Sequence, residues 1–201
     1  MFVFFWRKKW FILCMAAVLI ACVYAVAFSA EQVFNRRKPI YSGDPAKKQV
    51  AITVNVDWGE EYIPRMLELF KKNRVRATFF ISGRWAGEHQ QLVRKIAEAG
   101  HEIGNHGFSH PHVNELSVEE NIKEIQETSK AIERAAKRKT RYFAPPYGEY
   151  NDIVLEAAAR TGHQVILWTV DTVDWQNPPA DEITSRVLSR VHNGAIILMH
   201  P

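Results

Sequence analysis

The sequence predicts an α/β domain built on a parallel sheet and preceded by an apolar N-terminal segment. Three observations predict it. Short apolar, β-branched runs recur from Val50 onward. Stretches with apolar residues at helical spacing fill the gaps between them. An uncharged apolar run over residues 10–28 stands apart from both. Strand alternating with helix implies parallel strands joined by crossovers.

At 201 residues, 47% hydrophobic and 24% charged, the chain can hold one targeting segment and one domain with a buried core. The net charge of +4 is spread along the sequence, which gives no ground for a nucleic-acid partner. Both cysteines, Cys14 and Cys22, lie in the apolar run. The domain therefore has no internal disulfide and no thiolate metal site, and any metal must be held by histidine and carboxylate.

Arg7-Lys8-Lys9 precedes the run over residues 10–28. A run of that length can cross a hydrocarbon core of about 30 Å. Short basic flanks stay in the cytoplasm, so the domain is expected outside, although Arg36-Arg37-Lys38 on the far side weakens that asymmetry. An uncleaved signal-anchor fits the length best. Cleavage near Ala27-Phe28-Ser29 and a lipoprotein box at Leu19-Ile20-Ala21-Cys22 are the alternatives, and all three export the domain. Residues 1–30 are thus read as the anchor, 31–48 (with Pro39, Gly43 and Pro45) as a linker, and 49–201 as the domain.

Within the domain, strands are expected over residues 50–56, 77–81, 164–170 and 195–199, with shorter ones at 101–105 and 141–144. Helical faces are formed by Ile63, Met66, Leu67 and Phe70, with Pro64 in the first turn, and by Leu92, Val93, Ile96 and Ala97, stopped by Gly100. Ser117 and Glu120 make a capping box before Ile122, Ile125 and Ile132. Asn151 can cap a helix carrying Val154, Ala157 and Ala158, and Ile183, Val187 and Val191 form the last face before Asn193-Gly194.

In parallel α/β folds the chemistry sits where strands end and loops begin. The strand ends read Asn55-Val56-Asp57-Trp58-Gly59, Asn105-His106-Gly107-Phe108-Ser109-His110, Phe143-Ala144-Pro145-Pro146-Tyr147-Gly148, Asp171-Thr172-Val173-Asp174-Trp175 and Leu198-Met199-His200. Polar and titratable residues follow each apolar run. On a helical turn, the spacing of His106 and His110 would bring two imidazoles to one side, near enough to share a metal; otherwise they are a surface pair. With Asp57 they make a two-His, one-carboxylate set that leaves coordination positions open, as a catalytic site needs. Pro145 and Pro146 could simply stiffen a turn, and Trp175 could belong to the core. His101, His112, His163 and His192 are expected at the surface or at helix ends.

Over residues 50–201 these five segments resemble the NodB-type polysaccharide deacetylases of carbohydrate esterase family 4, and look most like their sporulation-associated branch. The resemblance implies a distorted, incomplete (β/α) barrel and metal-dependent removal of N-acetyl groups from a cell-wall or spore-cortex glycan. It implies a divalent ion, Zn²⁺ foremost, held by Asp57, His106 and His110. Asp57 and His200 would be the catalytic pair, His200 protonating the leaving amine. Tyr147 would offer its backbone N–H to the oxyanion beside Pro146, and Asp174 and Trp175 would support the site and line the groove. The expected setting is a monomer, anchored by its N-terminal helix on the extracytoplasmic face, with a wall glycan as substrate. The family also continues beyond the position of Pro201, so the domain is read as truncated at its C-terminal end.

The first motif departs from the family's Thr-Phe-Asp-Asp-Gly. Aligned on Gly59, Asp57 takes the base position and Trp58 replaces the ligand. Aligned on Thr53, both acids are lost. A third register makes Asp57 the ligand and puts Asn55 in place of the base; strand alternation sets Asn55 and Asp57 on one face and favours it. Ala144 stands where an arginine is usual, and Gly107 where Ser or Thr is usual. The alternative function is a catalytically impaired glycan-binding domain of the same fold; a small-molecule C–N hydrolase is disfavoured by the export segment.

Overall fold

The computed structural model describes residues 11, 13–25 and 38–201. The chain divides into two compact units, residues 1–35 and 36–201. In the first, residues 13–25 are helical, about 20 Å of helix at 1.5 Å per residue. Among the described residues no helix is long and apolar enough to cross a membrane. Of the transmembrane helix expected over residues 10–28, Trp10, Ile12 and residues 26–28 lie outside the described residues.

The second unit alternates strand and helix as expected. The strands are β1 (Ala51–Val56), β2 (Thr78–Ile81), β3 (Glu102–Asn105), β4 (Tyr142–Phe143), β5 (Gln164–Val165), β6 (Val170–Asp171) and β7 (Ile196–Met199). The helices are α1 (Ile63–Lys72), α2 (Gly83–Glu88), α3 (Gln90–Glu98), α4 (Val118–Ala136), α5 (Asp152–Arg160) and α6 (Ala180–Arg190). All pairings between the strands are parallel, in the order β5-β4-β3-β2-β1-β7-β6.

That order decides the shape. The run over residues 164–170, expected as one strand, divides into β5 and β6, which lie at opposite ends of the sheet. Laid flat at about 4.8 Å per strand, the two ends would stand about 29 Å apart. The short link from Val165 to Val170 reaches only about 17 Å when fully extended. The sheet must therefore curl into an incomplete barrel. Residues from the expected linker cover its seam: Ile40 donates to Val165 O (2.9 Å) and accepts from Leu167 N (2.8 Å), and Gly43 donates to Gly194 O (2.7 Å). The barrel unit thus begins before residue 49.

Caps explain where the helices start. Ser117 and Glu120 form the reciprocal capping box of α4, and Asn151 accepts from Val154 N at α5. The short helix α2 gave no periodic signal. It packs on α4 through Gly83, where an added Cβ would collide with the Phe108 ring and Thr128. α4 is central because Ile132 and Ala135 complete one apolar cluster with Val54, Phe79 and Ile103, while Ile125 belongs to a second with Phe143, Val154 and Val165. His101 and His163 lie at helix ends, one of the two expected places, and not at the surface. Both are buried, His101 accepting from Ala77 N (3.1 Å) between Phe70 and Phe79, and His163 bonded to Thr140 (2.8 Å). Each follows a glycine of positive φ, Gly100 or Gly162, which turns the chain inward off a helix.

Candidate active site

Strand register sets the site. Val56 lies level with Ile81, Ile81 with Asn105, and Asn105 with Phe143. The next residues on β1 to β4 are therefore Asp57, Ser82, His106 and Ala144, in one row across the C-terminal strand ends. Val54 lies level with Met199, which brings Asn55 opposite His200. A cavity of about 350 Å³ opens over these ends, lined among others by Asn55, Asp57, His106, His110, Asp171 and His200. Around it stand Trp58, Tyr147, Trp168 and Trp175, of which Trp58, Tyr147 and Trp175 are exposed. Trp175 is thus a rim residue, not core.

His106 is buried, and its Nδ1 bonds the Ala144 carbonyl at 2.7 Å. A carbonyl can only accept, so Nδ1 carries the proton and Nε2 keeps its lone pair. Burial, reinforced by the neighbouring His110, pushes the His106 pKa down to about 3. Burial also lowers that of His110, while Asp57 pulls it back up. Both rings are therefore held toward the neutral form that can coordinate a metal.

The two rings meet with centroids 4.9 Å apart. No helical turn brings them together, contrary to the spacing argument. The loop after β3 does so, with left-handed backbone at Gly107 (φ 76°) and His110 (φ 56°). Asn105 and Glu124 fix that loop. Asn105 Oδ1 accepts from Gly107 N (2.9 Å) while its amide donates to Ile125 O (2.7 Å). Glu124, on α4, accepts from Phe108 N (2.7 Å), Ser109 N (2.9 Å) and Ser109 Oγ (3.0 Å). Sequence reading missed Glu124, because it sits far from the loop in sequence and inside an ordinary helical pattern.

Asp57 is engaged elsewhere. Its Oδ1 accepts from Ser82 Oγ (2.5 Å) and its Oδ2 from Arg84 (3.2 Å). Ser82 and Arg84 were also missed; they precede and open the unpredicted helix α2. Asn55 is buried, and its Oδ1 has no hydrogen-bond partner among the described residues. On the far wall, His200 donates twice to Asp174, from its backbone N and from Nδ1, each at 2.7 Å. Burial pushes the Asp174 pKa up, but the hydrogen bonds from His200 outweigh it and hold it below the ordinary carboxylate value. Trp58 lies parallel to the His200 ring, centroids 6.2 Å apart. Tyr147 has left-handed backbone (φ 58°) next to buried Pro146, and its ring packs on His110 and His112.

This arrangement, a curled parallel sheet with these five loops at its C-terminal edge, has solved counterparts. A profile of the polysaccharide deacetylases matches residues 42–166. The chain belongs to the polysaccharide deacetylase family. It is 44% identical over 164 residues to the uncharacterized protein YlxY of Bacillus subtilis, covering 82% of this chain and 51% of that one. It is 36% identical over 160 residues to a peptidoglycan-N-acetylglucosamine deacetylase of Bacillus cereus, covering 80% and 58%. The crystal structure of BA3943 from Bacillus anthracis, described as a pseudoenzyme of the carbohydrate esterase 4 family, superposes with a TM-score of 0.81 at 46% identity, covering 82% of this chain and 59% of that one. The chain spans little more than half the length of these relatives.

Enzymes of this family are generally metal dependent, and the metal can be tested against the residues present. The two imidazoles fit: they are adjacent and line the cavity. The third donor does not. Asp57 has both oxygens committed to Ser82 and Arg84, and Trp58 supplies no donor. Among the described residues no group of three or more His, Cys, Asp or Glu is assembled to hold an ion. The expected ligands Asp57, His106 and His110 thus share one cavity, with the Asp57 carboxylate hydrogen-bonded to Ser82 and Arg84. Register places Ser82, at the end of the strand between those of Asp57 and His106, within hydrogen-bonding reach of the carboxylate.

Proposed function

We propose that this domain binds a cell-wall glycan in the deacetylase groove, with its hydrolytic chemistry impaired. The observation that carries the proposal is the composition of the cavity wall. Exposed Trp58, Tyr147 and Trp175 offer flat faces of the kind that pack on pyranose rings, while the donor set beneath them stops at two imidazoles. The likeness to a pseudoenzyme supports the same reading. The glycan class is an N-acetylated one, peptidoglycan or spore-cortex strands, met on the outer face of the membrane. The basic residues before the apolar run over residues 10–28 support that location.

A second reading, residual metal-assisted deacetylation, draws on the fully built His200–Asp174 pair, which has the form of a positioned proton donor. One experiment separates the two. The purified chain is titrated with chitin oligomers and with peptidoglycan strands, and acetate release is followed with and without added Zn²⁺. Saturable binding without acetate release supports the binding reading. Zn²⁺-dependent acetate release supports the second, and absence of binding to either glycan removes the first.

A further inference from the structure

We propose that Arg84 closes this site to divalent cations by holding Asp57 away from the histidine pair, and that a metal centre of Asp57, His106 and His110 forms once Arg84 is removed. The proposal goes beyond the glycan-binding reading and does not depend on it.

The carboxylate's engagement is the first ground. One Asp57 oxygen takes the Ser82 hydroxyl at 2.5 Å and the other the Arg84 guanidinium at 3.2 Å. A divalent ion such as Zn²⁺ needs one of those oxygens at about 2.0–2.2 Å. Swinging Asp57 toward the histidines would break both of these contacts.

The placement of Arg84 is the second. Its backbone is tied to the loop that carries the histidines: Gly83 N donates to Gly107 O (2.9 Å) and Arg84 N to Phe108 O (3.0 Å). The start of α2, from which the guanidinium reaches Asp57, is therefore tied to the histidine loop.

The third ground is what stands opposite. Ala144 occupies the place where the resemblance puts an arginine, and the guanidinium that faces Asp57 here comes from the start of α2. The Arg84 side chain is 54% exposed and that of Asp57 17%. Arg84 can therefore be replaced without opening a hole in the core, while Asp57 stays inside the cavity that both histidines line. Ser82 has one hydroxyl hydrogen and can hold only one carboxylate oxygen, which leaves the other free to turn.

The test uses the full chain and the metal alone. Zn²⁺ affinity is measured by calorimetry and Co²⁺ coordination by its visible absorption, for wild type, Arg84→Met and Arg84→Gln, with near-UV circular dichroism as the check of fold. Both variants are expected to bind one ion per chain about ten- to a hundredfold more tightly than wild type. The gain should vanish when Asp57→Asn or His106→Ala is added. Arg84→Lys, which keeps the charge, should bind as weakly as wild type. Equal affinity in wild type and in the folded Arg84 variants overturns the proposal. So does a gain that survives Asp57→Asn, because lost repulsion alone would then explain it. Chitin-oligomer affinity of Arg84→Met and Arg84→Gln, which lie outside the cavity lining, is expected to be unchanged, so a failed metal test leaves the glycan reading standing.

Discussion

Asp174 receives two hydrogen bonds from one residue, His200: its Oδ2 takes the backbone N–H and its Oδ1 the ring Nδ1–H, both at 2.7 Å. The pair locks the imidazole at the tip of β7 and leaves Nε2 as the ring nitrogen available to the cavity.

Asp174→Asn is expected to loosen that lock, and the effect depends on pH with a defined sign. The Asp174 carboxyl is held below its ordinary value, so it adds stability above the ordinary carboxylate range that is lost as pH falls through its folded value. Melting temperatures measured from neutral pH into the acid should therefore fall less steeply in Asp174→Asn than in wild type. Parallel acid limbs would show that the pair does not contribute to stability.

Glu124→Ala should destabilise the domain although Glu124 carries no chemistry. The substitution strips three hydrogen bonds from one carboxylate and leaves the N–H groups of Phe108 and Ser109 unanswered. The expected loss is about 2 kcal/mol in urea unfolding. Nuclear magnetic resonance should show the His106 and His110 ring signals moving together, since both hang on that loop.

The first motif can be tested by adding a carboxylate at two positions. If Asp57 is the ligand and Asn55 stands at the base position, Asn55→Asp should raise acetate release, general-base catalysis being worth about 10²- to 10⁴-fold. If Asp57 is the base, Asn55→Asp does little and Trp58→Asp raises Zn²⁺ affinity. The assays are acetate release and calorimetric Zn²⁺ titration. Asn55 is buried with an unpartnered Oδ1, so Asn55→Asp should also lower the melting temperature.

Trp175→Ala and Trp58→Ala should each weaken binding of a chitin oligomer by roughly tenfold, the loss of about 1.4 kcal/mol of stacking and contact area. Both rings are exposed rim residues, so melting temperatures should move little. Unchanged affinity in both would remove the aromatic rim from the glycan site.

Much of this was legible from the order of residues. Strand and helix periods have short physical range, so β1, β2, α3, α4 and α5 were readable from local pattern, and the capping box at Ser117 and Glu120 announced its helix outright. The strand-end rule picked out Asp57, His106, His110, Tyr147, Asp174 and His200 before any geometry was known, and each except Asp174 lines one cavity, with Asp174 bonded behind His200. The five motifs together carried the family.

Other features waited for the tertiary structure, because they depend on which strand lies beside which. A continuous apolar run could not reveal that residues 164–171 leave one edge of the sheet and join the other, or that Ile40 closes the seam. Nor could polar neighbours in sequence reveal Glu124 beneath the histidine loop. The sequence also left Asp57 free to choose among partners. Register put Ser82 next to it and brought Arg84 within 3.2 Å, and a carboxylate pairs with the donors nearest to it. Composition and motif determined that this chain carries a deacetylase-type site. The strand register decided that its one surviving first-motif carboxylate is bound by a hydroxyl and a guanidinium, because side-chain contacts across a parallel sheet are set by neighbouring strands.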